Sequence, residues 1–388
     1  MKENKERKLN ILFVVGAYPP ADKEGGPGKM IKALSKRLND LNCKVKVATT
    51  NKNGDEKVSF SDELIFDEHA EVFYGDYKKS ILPYFSPSML KYSYEEIKKT
   101  DFLFISSSWN LYGVLSAFFA NLWKKPYAVY THGSYHPVRV KKSRLRKFFW
   151  WYFFDKWLYK YAKFVIAMSE NERIQVKSYG IESNVIVLPI GVDDNLIHSN
   201  SDPIDINRIS NNKDYILFLS RISKVKNLEY TFDYFANFLI TNDLILLVAG
   251  GGDHDYTKEV KTLLDKHPAR EHIKLLGVIT EEEKQNLLSN AKFFTLLSKA
   301  EGLPQSVLEA MHFGIPCIVS NECNLLDAIY KKVVLSDSDN NSLKLLSELL
   351  EDKKKYSSIS KKTKDYAKEN FDWGPISLRY LEHIKKNI

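Results

Sequence analysis

The stretch KFFTLLSKAEGLPQSVLEAMHFGIPCIVS, residues 292–320, contains a strand, a loop, a helix and a second strand in succession. Its first apolar run, 292–298, predicts a buried strand. Gly302 and Pro304 keep a helix from running through the loop, and the helical pattern that follows ends at Gly314, a residue type that favours helix C-termini. The next apolar run predicts another strand. A strand–helix–strand unit of this kind is typical of parallel α/β sheets.

Short apolar runs of the same kind recur along the chain, with amphipathic stretches between them. In the first half they are NILFVVG, KVKVATT, DFLFISSS, YAVYTH, KFVIAMS and NVIVLP. In the second half they are YILFLS, LILLVAG, IKLLG, KFFTLLS, IPCIVS and KVVLS. The runs do not alternate polar with apolar residues, as expected for strands that are covered on both faces. The pattern therefore predicts a doubly wound parallel α/β sheet, formed twice.

The boundary between the two predicted sheets lies in residues 191–214, which are polar and rich in turn-forming residues. We expect an N-terminal domain over 1–195 and a C-terminal domain over 196–372. A final helix, 373–388, follows a Trp-Gly-Pro turn and is expected to return to the N-terminal domain. A chain of 388 residues is long enough for two such domains.

The composition, 44% hydrophobic and 27% charged, is that of an ordinary folded protein. No apolar run reaches the roughly 18 residues of a membrane span. The N-terminal run Ile11–Ala17 ends at two prolines and has no clear cleavage site, so we interpret it as a strand and expect a cytoplasmic protein. The cysteines Cys43, Cys317 and Cys323 show neither metal-binding spacing nor a disulfide framework.

The positive charge is concentrated in one half of the chain. Residues 1–200 contain 31 Lys+Arg against 22 Asp+Glu, whereas the remainder contains 26 against 27. Within the basic half, residues 138–163 combine nine Lys+Arg with ten aromatic residues and one Asp. Such a segment suits an anionic membrane surface, a nucleic acid or a buried helix. No nucleic-acid recognition motif accompanies it, and our hypothesis is peripheral attachment to a membrane.

Two loops of the N-terminal domain carry candidate ligand-binding residues. Gly25, Gly26 and Gly28 follow the first strand and precede a helix, where free N–H groups favour phosphate. Their spacing is not that of the dinucleotide fingerprint, and a flexible turn is the alternative interpretation. His132 and His136 follow the strand YAVYT. His132 either has a structural role or binds a sugar hydroxyl.

Loops of the C-terminal domain carry the charged candidates. Arg221 and Lys226 follow the strand YILFLS, and two cations there either bind a diphosphate or remain solvated surface charges. Glu301 in its loop and Glu309 in the next helix flank a helix N-terminus, where carboxylates accept hydrogen bonds from hydroxyls or simply favour the helix dipole.

Two further motifs of this domain have structural explanations. Asp253 and Asp255 form an Asp-x-Asp pattern, but three preceding glycines favour a turn and a helix cap over a metal site. Thr280 and Glu283 have the spacing of a capping box.

Taken together, these motifs resemble the retaining nucleotide-sugar glycosyltransferases of family four, which have the GT-B fold. The resemblance rests on EGLPQSVLEAMHFGIPCIVS, which has seven residues between its two glutamates, and on GGPGKMIKALSKRL, PIGVDD, SRISKVKN, VAGGGD and GVIT in the same order. It covers nearly the whole chain. NECNLLDAI, after Ser320, departs from the family because it lacks the usual glycine-rich turn.

The resemblance implies a role for each candidate residue. Arg221 and Lys226 would neutralise the donor diphosphate, and Glu301 would bind the transferred sugar with help from His132. The remaining donor-binding positions that it implies are Gly25, Gly26, Val278, Gly302, Leu303, Pro304 and Glu309. Of these, Glu309 would bind the ribose hydroxyls and Val278 would lie near the base.

The resemblance also implies the reaction. We expect two Rossmann-like domains that face a cleft and transfer a hexose from a UDP- or GDP-linked donor, without a metal or another cofactor, to a glycan or a lipid-linked oligosaccharide. A catalytically silent assembly partner of a polysaccharide-synthesis complex is the alternative. A nicotinamide-dependent oxidoreductase fits less well, because the dinucleotide fingerprint is missing from both halves.

Overall fold

The computed structural model describes residues 7–24, 26–80, 83–106, 108–141, 143–192, 205–252 and 254–388. The chain divides into two compact units. The first comprises Met1–Ile190 together with Trp373–Ile388, and the second comprises Gly191–Asp372. Half of the predicted linker, residues 193–204, lies outside the described residues, and Ile206–Ser210 within the linker forms a short helix.

The first unit is built on a large sheet. The strands of this unit are β1 (Leu9–Ala17), β2 (Cys43–Thr50), β3 (Lys52–Asn53), β4 (Glu56–Lys57), β5 (Glu63–Asp67), β6 (Ala70–Gly75), β7 (Phe102–Ser106), β8 (Tyr127–Tyr130), β9 (Phe164–Ala167) and β10 (Val185–Val187). The order in the sheet is β10-β9-β8-β7-β1-β2-β6-β5, and β3 pairs with β4 in a separate hairpin. Within the described ranges, the strands of the large sheet are parallel except for the β5–β6 pair.

Helices connect these strands in the first unit. They are α1 (Gly26–Asp40), α2 (Pro87–Ile97), α3 (Leu111–Leu122), α4 (Pro137–Lys141), α5 (Arg144–Trp150), α6 (Lys156–Lys160) and α7 (Glu170–Ser178). A π-helical turn, Trp151–Asp155, joins α5 to α6. The basic aromatic segment is therefore almost entirely helical.

The second unit contains a smaller sheet. Its strands are β11 (Tyr215–Leu219), β12 (Ile245–Ala249), β13 (Ile273–Gly277), β14 (Phe293–Leu296), β15 (Cys317–Val319) and β16 (Leu335–Ser336). Its helices are α8 (Ile206–Ser210), α9 (Leu228–Thr241), α10 (His254–Asp265), α11 (Glu281–Asn290), α12 (Gln305–His312), α13 (Leu326–Tyr330), α14 (Ser342–Glu351) and α15 (Lys353–Phe371). The strand order is β13-β12-β11-β14-β15-β16, and each pair is parallel.

The predicted fold class is confirmed, and each of the twelve apolar runs forms a strand. Strands such as β7, β8, β11 and β12 are buried along their whole length, which explains their unbroken apolar sequences. The sequence analysis missed β5 and β6. In β6 buried residues alternate with half-buried ones, and β5 is an edge strand that is largely exposed, so neither forms a continuous apolar run.

The final helix, α16 (Trp373–Asn387), packs on the first unit. The ring of Tyr380 lies 6.1 Å from the ring of Phe104, and the Arg379 guanidinium donates a hydrogen bond to the Val187 carbonyl at 2.7 Å. The prediction of a Trp-Gly-Pro turn before this helix was wrong. These residues form its first turn, which tolerates proline, and the break falls at the extended Asp372.

Two separate observations concern the cysteines and the length of the helices. Cys43, Cys317 and Cys323 are free thiols with buried side chains. Burial raises the pKa of the Cys43 thiol to about 11, so it is protonated at neutral pH. Within the described ranges, no helix combines the length and the apolar character that crossing a bilayer requires.

The glycines at the start of α1 differ in their surroundings. A Cβ atom on Gly28 would lie 2.5 Å from the Ala17 carbonyl oxygen, at the end of β1. A Cβ on Gly26 would meet nothing within 4 Å. Gly28 therefore permits the close packing of α1 against the strand it follows, whereas Gly26 lies exposed at the helix start.

We predict that Gly28→Ala lowers the free energy of unfolding by about 1–3 kcal/mol, because the backbone must shift to admit the methyl group. Gly26→Ala is the matched control and should be neutral or slightly stabilising. Urea unfolding followed by circular dichroism measures both. Equal stability of the two variants would contradict the packing role of Gly28.

Candidate active site

The candidate site of the second unit lies where its strand order reverses. From β11 the chain continues to β12 and β13 on one side, then returns to β14, β15 and β16 on the other. In open parallel sheets, ligands bind outside the carboxyl ends of the strands at such a switch point. We therefore expect ligand-binding residues in the loops that follow β11 and β14.

Two predicted residues meet across this switch point. The Lys226 ammonium, at the end of a 3₁₀ turn after β11, donates a hydrogen bond to Glu301 Oε1 at 2.5 Å. The side chains of Lys226 and Glu301 are 16% and 9% exposed. Burying two charges costs desolvation energy that their attraction roughly offsets, so the pair is not explained by stability alone.

The two loops are also joined through their backbones. The Lys299 N–H donates to the Val225 carbonyl at 2.7 Å, and the Asn227 amide donates to the Leu297 carbonyl at 3.1 Å. Asn227 has a φ of 59°, a left-handed conformation that asparagine tolerates. These bonds fix the separation of the β11 and β14 loops, and with it the position of the ion pair.

Asn324 holds the loop of Glu301 from the other side. Its buried side-chain amide donates to the Glu301 carbonyl at 2.9 Å and to the Gly302 carbonyl at 2.7 Å. The Glu301 N–H donates to the Glu322 carbonyl at 3.0 Å. The sequence analysis missed Asn324, which lies in the stretch that lacks the family's glycine-rich turn. Its φ of 60° shows that asparagine takes a backbone conformation that glycine readily adopts.

Glu309 takes part in a separate buried ion pair. It is the fifth residue of α12, and its Oε1 accepts from the Lys284 ammonium at 3.1 Å and from the Gln305 amide at 3.0 Å. Burial raises the pKa of Glu309, and the Lys284 charge opposes that rise. Burial lowers the pKa of Lys284, but Glu309 and Glu281 more than offset this and leave it raised. The sequence analysis missed Lys284 because it lies 25 residues from its partner.

The other predicted residues of this unit lie around the same edge of the sheet. Arg221 is exposed at the carboxyl end of β11. Gly302 is half-buried, whereas Leu303 and Pro304 are buried in front of α12. Val278 follows β13 and is 82% exposed, so its methyl groups are available to a ligand.

Helix ends near the site follow the sequence-based expectations. Thr280 and Glu283 form a reciprocal capping box at α11, as predicted. Gly314, with a φ of 76°, ends α12, and the next residue, Ile315, donates to the Ala310 carbonyl at 3.0 Å. This is the hydrogen bond of a Schellman motif.

The three glycines after β12 serve close packing of loops. A Cβ on Gly250 or Gly252 would lie within about 2 Å of a backbone oxygen of the β11 loop. Asp253 lies outside the described residues, and Asp255 is exposed in the first turn of α10. Among the residues that the structure describes, no group of three or more His, Cys, Asp or Glu is arranged to hold a metal ion.

In the first unit, His132 lies just beyond β8 at a φ of 47°. Its Nε2 is 2.6 Å from the Ser106 hydroxyl, and its ring stacks on Tyr130. Burial, together with the charge of Arg139, lowers the pKa of His132 to about 3. The imidazole is therefore neutral at physiological pH and acts through hydrogen bonds rather than charge.

Glu172 supports the loop of His132. This buried carboxylate accepts hydrogen bonds from the Thr131 hydroxyl at 2.6 Å, the Gly133 N–H and the Met168 N–H. The sequence analysis missed Glu172, since an acidic residue after Ser169 is ordinary helix-start chemistry. Of the glycines predicted to bind a donor, Gly25 lies outside the described residues.

The fold places the protein in a known class. HepE of Anabaena in complex with UDP and glucose superposes with a TM-score of 0.74 at 18% identity, covering 97% of this chain and 100% of that one. Sucrose-phosphate synthase of Thermosynechococcus elongatus superposes with a TM-score of 0.76 at 16% identity, covering 98% and 99%. The two Rossmann-like units are those of the GT-B fold.

Two family models each match one part of the sequence. Residues 201–366 match the model for glycosyl transferases group 1, and residues 24–196 match the model for Glycosyltransferase Family 4. Together with the fold, these two matches support a group 1 glycosyltransferase of GT-B type.

A curated relative shares part of this sequence. The UDP-Gal:alpha-D-GlcNAc-diphosphoundecaprenol alpha-1,3-galactosyltransferase of Escherichia coli is 25% identical over 244 residues. The match covers 59% of this chain and 60% of that relative. The chain thus spans less than two thirds of the relative's length.

We predict that Lys284→Met lowers the free energy of unfolding by about 3 kcal/mol at neutral pH, because it leaves Glu309 as an unpaired buried charge. The penalty should be full above the folded-state pKa of Glu309. It should disappear as the pH falls below about 4, where the carboxyl is largely protonated in both states. Urea unfolding as a function of pH measures this dependence.

Two variants control this experiment. Glu281→Gln removes the exposed partner of the same lysine and should cost less than about 1 kcal/mol. Adding Glu309→Gln to Lys284→Met should recover most of the lost stability. A Lys284→Met variant no less stable than Glu281→Gln would show that the Lys284–Glu309 pair is unimportant for stability.

Proposed function

We propose that the protein is a metal-independent, retaining glycosyltransferase of family four that needs no cofactor. It transfers a hexose from a nucleotide-diphosphate sugar to a hydroxyl of a glycan or a lipid-linked oligosaccharide, in surface polysaccharide biosynthesis. The observation that carries this proposal is the buried Lys226–Glu301 pair at the switch point of the second sheet. It supplies a cation and a carboxylate where an open α/β sheet binds its ligand.

Lys226 can serve the diphosphate without leaving Glu301. An ammonium group has three N–H donors, and the bond to Glu301 uses one of them. The others remain for phosphate oxygens. Arg221, exposed at the end of the same strand, adds a planar donor group that binds two oxygens at once. Together they would stabilise the charge that develops on the departing diphosphate.

The carboxylates would orient the rest of the donor. Glu301 would accept hydrogen bonds from hydroxyls of the transferred sugar, and Glu309 from those of the ribose. Glu309 already accepts bonds from Lys284 and Gln305, so a ribose would add to an existing network. Val278 would contact the base, and the backbone of 302–304 would line the sugar and phosphate groups.

In the proposed reaction the bond from the anomeric carbon to the diphosphate oxygen breaks, and a bond to the acceptor oxygen forms on the same face. The hydroxyl proton passes to the departing diphosphate. The first unit would bind the acceptor. There, the neutral His132 would offer a hydrogen-bonding nitrogen to a sugar hydroxyl.

The comparisons favour UDP over GDP as the donor nucleotide. The curated relative is named for a UDP-galactose donor and a diphosphoundecaprenol-linked acceptor, and HepE was solved with UDP and glucose. We therefore propose a UDP-sugar donor and a lipid-linked acceptor. A ligand-observed NMR screen against UDP-, GDP- and ADP-sugars tests the donor, with saturation transfer reporting contact and new sugar signals reporting hydrolysis.

We predict that Arg221→Ala and Glu301→Ala each reduce turnover by about 10²–10³-fold, the usual effect of removing one charge-stabilising group. Release of UDP in the presence of acceptor measures the rate, and circular dichroism verifies the fold. Arg270→Ala is the control, because Arg270 is an exposed arginine before β13, at the opposite end of that strand. Near-normal rates in both site variants would refute the assignment.

The alternative, a catalytically silent assembly partner, makes a different prediction in the same experiments. It expects a UDP-sugar to bind without turnover or hydrolysis under any acceptor condition. Retention of Arg221, Lys226, Glu301 and Glu309 argues against it, because a scaffold has no need of the complete set.

A further inference from the structure

The helical segment 144–160 has one face that packs against the first unit. Trp151, Leu158 and Tyr159 lie on this face with Asp155. The ring of Trp151 lies 5.1 Å from the ring of Tyr179 in an edge-on arrangement. This face accounts for part of the aromatic content of the segment through ordinary core packing.

A second set of apolar residues in the same segment is exposed. The exposed fractions are 77% for Leu145, 58% for Phe148, 58% for Phe149, 64% for Tyr152 and 64% for Phe153. Their positions have the i, i+3, i+4, i+7, i+8 spacing of one side of a helix. An exposed apolar patch of this kind marks an interaction surface. We call these five residues the outer aromatic face.

The exposed charges of the helical segment that carries the outer aromatic face are positive. Arg144, Arg146, Lys156 and Lys160 are exposed on the same segment. Its one acidic residue, Asp155, is fully buried, so it does not neutralise them at the surface. Exposed apolar side chains and exposed cations on one helical segment match an anionic bilayer, where aromatic rings enter the interface and ammonium and guanidinium groups contact phosphates. A second copy of this chain would present the same cations and be repelled.

Asp155 connects the segment to a loop at the carboxyl ends of the strands of the first sheet. Its carboxylate accepts from the Trp109 N–H at 3.1 Å and from the Trp150 indole at 2.9 Å. Burial raises the pKa of Asp155 to about 7, and these donors oppose the rise. Trp109 belongs to the loop after β7, the strand that ends at Ser106, the partner of His132. The hydrogen bonds of Asp155 thus connect the helical segment of the outer aromatic face to the loops that are proposed to bind the acceptor, all within the first unit.

We propose that the outer aromatic face docks the first unit on an anionic phospholipid bilayer. Binding combines insertion of aromatic rings with attraction between the surrounding cations and the lipid phosphates. The proposal goes beyond the transfer reaction and does not depend on it. Docking would bring the first sheet's carboxyl edge close to a lipid-linked acceptor.

Vesicle sedimentation with the full chain tests the proposal. We expect binding to phosphatidylcholine vesicles that contain phosphatidylglycerol, weakening as salt rises, and little binding to phosphatidylcholine alone. The double variant Phe148→Ser/Phe149→Ser should bind at least about tenfold more weakly, since two exposed rings no longer enter the interface. The matched control is Leu64→Ser/Phe66→Ser on β5, exposed apolar residues of the same unit, which should bind normally.

A charge variant separates the two contributions. Arg144→Gln/Arg146→Gln should weaken binding to the anionic vesicles by about fivefold per cation, from roughly 1 kcal/mol each. Donor binding by NMR should be unchanged in all of these variants, so loss of docking is distinguishable from failure of the proposed reaction.

Three results would overturn the lipid proposal. They are an absence of binding to anionic vesicles at low salt, undiminished binding of the Phe148→Ser/Phe149→Ser variant, and self-association that this variant abolishes without any vesicle binding. The last result would assign the outer aromatic face to contact between copies of the chain.

Discussion

The candidate site of the second unit is built around the buried ion pair between Lys226 and Glu301. Both charged groups lose most of their hydration when they are buried, and their mutual attraction does little more than offset this desolvation cost. The pair persists because the β11 and β14 loops are bonded to each other and Asn324 holds the Glu301 carbonyl. The protein thus maintains a charged group on each side of the switch point, as the proposed binding of a nucleotide-diphosphate sugar requires.

The sequence predicts the frame that carries this pair much better than it predicts the contacts within it. Continuous apolar runs identify buried parallel strands because both faces of such strands must be covered. This criterion does not detect β5 and β6, because β5 is largely exposed and buried residues in β6 alternate with half-buried ones. Helix ends such as Thr280–Glu283 and Gly314 are predictable because their chemistry is local.

The site residues are predictable one by one, whereas their partners are not. Strand ends reveal Arg221, Lys226 and Glu301, since loops after parallel strands meet at one edge of the sheet. That Lys226 bonds Glu301 across 75 residues of sequence depends on strand order, which no local pattern contains. The same reason hides Lys284, whose partner Glu309 lies on a neighbouring helix. Glu172 and Asn324 escape because their residue types are common at turns and caps.

Each unit contains a feature that its fold does not require and that does not stabilise it. In the second unit it is a pair of desolvated charges, and in the first it is a row of exposed aromatic side chains beside unneutralised cations. Neither feature helps a domain to fold, because buried charges are costly and exposed apolar patches favour aggregation. Residues that do not favour folding are expected at the sites where a protein binds other molecules. The two features agree with the two proposed partners, which are a nucleotide-diphosphate sugar for the second unit and an anionic membrane surface for the basic first unit.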